Sequence, residues 1–117
     1  MPSPSWKTDP ENHDFPAALD YLELVLEPEA AQQAVERLKS TPTTVKKAKD
    51  ILRASGLPLL PKENVHVAEN IDKVRQGKKL SPVLLVRGQP LIIADGYHRV
   101  CAIYYLSEDL EVPSRLA

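Results

Sequence analysis

Asp95-Gly96-Tyr97-His98-Arg99 places a carboxylate, a glycine, an imidazole and a guanidinium along one short stretch. An apolar run, Leu91-Ile92-Ile93-Ala94, precedes it, and Val100, Ile103 and Leu106 follow at helical spacing. The glycine therefore falls between a strand and a helix. Such a junction aims unpaired backbone N–H groups and the positive end of a helix dipole at one point. That point is a ready anion site. Gly96 permits a positive φ and close approach of a ligand to the backbone. Arg99 offers a planar fork suited to phosphate oxygens. His98 can donate to phosphate or move a proton near neutral pH. Asp95 can hold a metal, act as a base or form an Asx-type turn. A second reading stands beside this one. Arg99 bridges an acidic neighbour, His98 caps the helix, and the corner is only a tight turn. The string Gly-x-His-Arg does not choose between them.

The elements that must position this corner follow from periodicity and punctuation. Residues 1–15 read as an extended arm led by Pro2, Ser3, Pro4 and Ser5, with Trp6 and Phe15 as anchors. Residues 16–56 read as a helical region. Leu19, Leu22, Val25 and Leu26 form one stripe after a start near Asp14 and Pro16. Ala30, Ala31, Ala34, Val35 and Leu38 form a second after Pro28. Thr43 or Thr44 caps a third helix through Val45, Ala48, Ile51 and Leu52, which Gly56 ends. Residues 57–117 read as an α+β core. It holds a proline-flanked link at Leu57–Pro61, extended or a short strand, then a short helix with Ile71 and Val74 inward. A hairpin of Val83–Val86 and Leu91–Ala94, the helix from Tyr97 to Leu106, and a last edge strand at Glu111–Leu116 carrying Pro113 complete it. The whole reads as a single domain.

Composition narrows the function classes. The chain has 117 residues, 26% of them charged, and a net charge of −1, so whole-molecule charge gives no case for nucleic-acid affinity. Cys101 is the only cysteine, which excludes an intrachain disulfide and cysteine-based metal spacings. His13, His66 and His98 show no paired-ligand spacing, and His66 reads as structural or surface. No apolar run approaches ~20 residues and no signal-peptide pattern is present, so no membrane span and a cytoplasmic location are expected. Charge is unevenly spread. Asp9 to Glu36 holds eight acidic residues and no Lys or Arg; Lys73 to Ala94 holds five basic residues and no acidic one. The basic stretch (Lys73, Arg75, Lys78, Lys79, Arg87) reads either as a cationic face for an anionic ligand or as solvated surface.

The segment from about Ser81 to Leu116 resembles the ParB/sulfiredoxin-like fold family. The resemblance rests on Pro82-Val83-Leu84-Leu85-Val86, the turn at Arg87-Gly88, Leu91-Ile92-Ile93-Ala94, Asp95-Gly96-Tyr97-His98-Arg99, Ala102, and Val112-Pro113-Ser114-Arg115-Leu116. Lys78-Lys79-Leu80 and the preceding helix fit as well; the helical N-terminal half is not part of it. The resemblance implies a small mixed sheet with helices and nucleotide phosphates at the glycine-to-helix corner, with Gly96, His98 and Arg99 as contacts. The pattern departs from sulfiredoxins where their nucleophilic cysteine would stand, because that position is Tyr97. Cys101 lies about one helical turn later and reads as a buried small residue, so thiol chemistry is not expected. Chromosome-partitioning ParB proteins carry a Gly-x-Arg-Arg-like motif and a downstream helix-turn-helix, neither of which stands here. The related free-serine kinases carry an Asp-Gly-x-x-Arg version, which is closer. Their catalytic acid has no clear counterpart; Glu69 and Asp72 lie in the right part of the chain.

The expected function is thus a nucleotide- or phosphate-binding module. Its site is Gly96, Tyr97, His98 and Arg99, with Lys78, Lys79 and Arg87 as further cations. Tyr97 either stacks on a base or packs on the core. If the site is catalytic, it transfers or hydrolyses a phosphoryl group through Asp95 or His98, with a nucleotide and Mg²⁺. The alternative is a non-catalytic nucleic-acid-binding or partner-protein module, a homodimer included. It is motivated by the Lys46–Arg53 and Lys73–Arg87 segments and by an apolar patch at Tyr21, Leu22 and Leu26.

Overall fold

Val83-Leu84-Leu85-Val86 contains no polar residue because both of its faces are covered. The computed structural model, which describes residues 3–117, arranges eleven elements around it. In chain order they are β1 (Ser5–Trp6), α1 (Asp14–Val25), α2 (Pro28–Ser40), β2 (Thr44–Lys47), α3 (Ala48–Ser55), α4 (Val65–Arg75), β3 (Lys79–Leu80), β4 (Val83–Val86), β5 (Ile92–Asp95), α5 (Tyr97–Leu106) and β6 (Glu111–Leu116). Four strands form a mixed sheet in the order β2-β6-β4-β5. The β4–β5 hairpin is antiparallel, β4 and β6 are parallel, and β2 runs antiparallel to β6. A smaller parallel pair joins β1 to β3, matching Trp6 with Leu80.

Alternation along β4 sends Val83 and Leu85 to one face and Leu84 and Val86 to the other. The first face packs under α3, α4 and α5, through Ile51, Val67, Ile71, Val100 and Ile103. The second packs under α1 and α2, through Ala18, Leu22, Ala31, Val35 and Leu38. The architecture is a three-layer α+β sandwich. Burying a side chain such as Leu22 or Leu84, both fully enclosed, contributes roughly 2 kcal/mol each.

Several expectations are met. The helix Tyr97–Leu106 stands as read, the hairpin is present with its second strand one residue later than read, at Ile92–Asp95, and Trp6 and Phe15 anchor the arm against the two core faces. Pro2, in the expected extended lead, lies outside the described residues. Others are corrected. Thr44 does not cap a helix; Thr44–Lys47 is a strand, and α3 starts only at Ala48. The β-branched Thr44-Val45 pair gains sheet partners in β6, which outweighs the helical spacing of Val45 and Ala48. The boundary at residue 56 therefore does not separate a helical region from an α+β core: β2 belongs to the sheet, and α1 and α2 cover its second face. Leu57–Pro61 forms no strand. The last strand, β6, is not an edge; it lies between β2 and β4. Pro113 is tolerated there because pairing with β4 begins only at Ser114.

Candidate functional site

The strand-to-helix corner is built on Gly96, whose φ of 107° lies in the left-handed region. A Cβ at this position would sit 2.5 Å from Val83 Cγ1 and 2.9 Å from Arg99 Nη2. The expected close approach to the backbone is thus made on that side by Val83 and Arg99. Arg99 passes over the bare glycine and donates from Nη2 to Asp95 Oδ2 at 2.9 Å, with a longer bond to the Pro82 carbonyl at 3.4 Å. Both partners are largely buried. Burial raises the Asp95 carboxyl above its usual range, while the charge and hydrogen bond of Arg99 pull it back only in part. The pair is therefore a geometric clamp on the corner more than a source of net electrostatic stability. Arg99 Nε remains without a hydrogen-bond partner.

Asp95 is thereby committed to a guanidinium, which leaves it poorly suited to hold Mg²⁺. Cys101 is fully buried and burial pushes its thiol up, the reverse of the exposed, low-pKa setting that favours a thiolate nucleophile. The Tyr97 hydroxyl donates to the Pro58 carbonyl and its ring packs on the α3–α5 side of the core. Tyr105 makes the matching bond to the Leu60 carbonyl at 2.6 Å. These two tyrosines hold down the link at Leu57–Pro61, and of the two readings of Tyr97 the structural one is met.

The amide end of α5 remains open. Gly96 has no side chain to cap it, the first turn holds no acidic residue, and the first backbone N–H to close back is that of Val100 onto the Gly96 carbonyl. The start of α4 lies beside it. His66, the second residue of α4, meets His98, the second residue of α5, edge to face at 5.0 Å between ring centroids. Two helix N-termini thus share one corner. Their difference is that Asn64 caps α4, its side-chain oxygen accepting from the N–H groups of His66 and Val67. His98 is half-buried, and its pKa is lowered by burial, then by the charges of His66 and Arg99. His66 is the residue that sequence reasoning missed. Its signal was positional: Asn64 as N-cap puts His66 in the first turn, where His98 stands in its own helix.

The remaining candidate cations divide. Lys78 and Lys79 are exposed and precede Pro82, which Arg99 touches, so they lie at the same end of the sheet. Arg87 does not. It follows β4, at the opposite end from Val83, about 13 Å along the strand. A mixed N/O cluster that spacing did not reveal sits at the start of α1, where ligand atoms of Glu11, His13 and Asp14 lie within 4.8 Å of one another. They are engaged internally: Asp14 accepts from the Glu11 N–H, His13 lies between both carboxylates, and Lys7 pairs with Glu11. No helix among the described residues is long and apolar enough to cross a membrane. No family model, curated protein or solved structure matches the chain.

Proposed function

We propose that the protein is a ParB/sulfiredoxin-like module that binds a phosphate-bearing ligand, a nucleotide by that resemblance, at the start of α5. The observation that carries the proposal is the uncapped N-terminus of α5, with no acidic residue in its first turn, the preceding Asp95 carboxylate paired to Arg99, and His98 and His66 alongside. The N–H groups of Tyr97, His98 and Arg99 would donate to phosphate oxygens. Lys78 and Lys79 would add long-range attraction from the same end of the sheet. An anion in this corner favours the protonated form of His98, whose pKa the protein lowers, so affinity is expected to rise as pH falls below the ordinary imidazole range.

The test is titration of the labelled protein with inorganic phosphate, ATP and CTP, each with and without Mg²⁺, followed by backbone amide shifts. Shifts are expected at Tyr97, His98 and Arg99 and at the neighbouring His66. His98→Glu fills the corner with the chain's own carboxylate and should weaken binding at least about tenfold, a loss of one charge-assisted contact with added repulsion. Arg99→Ala is a poorer probe, because it opens the Asp95 clamp as well. Shifts scattered elsewhere, or equal binding by His98→Glu, would remove the site.

A further inference from the structure

α1 carries two apolar stripes, and the fold uses only one. Ala18 and Leu22 are buried against α2 and the sheet. Ala17, Tyr21, Leu24 and Val25 recur at i, i+4, i+7 and i+8 on an adjoining side and stay exposed, Leu24 by 83%. The expected patch of Tyr21, Leu22 and Leu26 is therefore displaced by a rotation around the helix: Leu22 is internal, and Leu24 and Val25 take its place. Beside this stripe, a cavity of about 400 Å³ opens between the end of α1 and the β4–β5 turn, lined by Tyr21, Val25, Leu26, Pro90 and Ile92 among others.

The surroundings of the stripe are acidic. Asp20 and Glu23 flank it, Glu27 follows, and none of the three forms an ion pair among the described residues. The last turn of α1 has no basic residue. Glu23 thus stands in the last turn of α1, at the negative end of its dipole, where a carboxylate is unfavourable and a cation favourable, and Glu27 stands just beyond, at the start of α2.

We propose that the outer face of α1 docks a basic amphipathic helix of a partner protein, with apolar side chains on Tyr21, Leu24 and Val25 and Lys or Arg residues against Asp20, Glu23 and Glu27. Charge complementarity selects this occupant. A second copy seated face to face would set the same carboxylates against one another. No other helix among the described residues supplies the complement: the apolar residues of α3, which carries Lys49 and Arg53, are already buried in the core. An anionic lipid surface would be repelled.

A fluorescent peptide of roughly five helical turns, with leucines at i, i+4, i+7 and i+8 flanked by lysines, serves as the probe. Fluorescence anisotropy is read for the wild type, Leu24→Asp, and the double variant Asp20→Lys/Glu23→Lys. All replaced residues are exposed, so circular dichroism should be unchanged. Each variant should bind the peptide at least about tenfold more weakly, the loss expected for a central interface residue or charge pair. The double variant should in turn bind the same peptide with glutamates in place of lysines. No binding by the wild type would overturn the proposal, as would equal binding by Leu24→Asp or by a scrambled peptide of the same composition. A wild-type dimer in sedimentation that Leu24→Asp dissociates would overturn it in favour of a second copy.

Discussion

α4 and α5 begin side by side, and only α4 closes its own N-terminus. Asn64 takes up two of the donors of α4, whereas Gly96 leaves those of α5 open. The difference lies in what each junction must do. α4 follows a loop, where an Asn in extended geometry is readily accommodated. α5 follows a strand directly and must turn at a positive φ under Val83, which only glycine permits. The same constraint that forbids a cap leaves the amide end of α5 open. A third helix start differs from both: α1 carries the buried Asp14 carboxylate in its first turn, where it accepts from the Glu11 N–H upstream of the helix.

The largest effect expected to break this comparison comes from Gly96→Ala. Positive-φ strain and the clash with Val83 together should cost on the order of 3 kcal/mol, read as a lowered denaturant midpoint. Adding Val83→Ala should recover part of the loss; strict additivity of the two changes would show that the contact is not the cause. Asn64→Ala should cost about 1 kcal/mol by leaving donors of α4 without their cap. It should also leave phosphate affinity at α5 within a factor of two or so, and an unchanged stability would end the contrast between the two starts. The smallest effect is a pH slope. The pKa of His98 is lowered in the folded protein, so its contribution to stability is complete above about 6.5 and is lost as pH falls toward the lowered value. Unfolding midpoints measured across this range should fall less steeply for His98→Gln than for the wild type. Asp95, whose pKa is raised, acts in the opposite direction at lower pH and is common to both proteins, so equal slopes would count against His98 as the source.

The α5 corner was legible because several independent signals coincide there: an apolar strand, a glycine, and a helical stripe in immediate succession. β2 was not. Val45 satisfies a helix and a strand pattern equally, and its choice depends on β6, whose partner residues begin at Glu111. The inward stripe of α1 was also legible, but the outward one was merged with it, since Leu22, Leu24, Val25 and Leu26 differ only by rotation about one axis.

The sequence by itself determined the local chemistry of Asp95–Arg99. The glycine turn and the helix that starts on it depend on neighbouring residues and short-range sterics. The tertiary structure decided how those groups are used. Arg99 is turned back onto Asp95, Arg87 is carried to the far end of β4, and His66 is brought beside His98 from the start of another helix. These are contacts between elements, fixed by which faces of the sheet are buried and which helices cover them. No spacing along the chain encodes them.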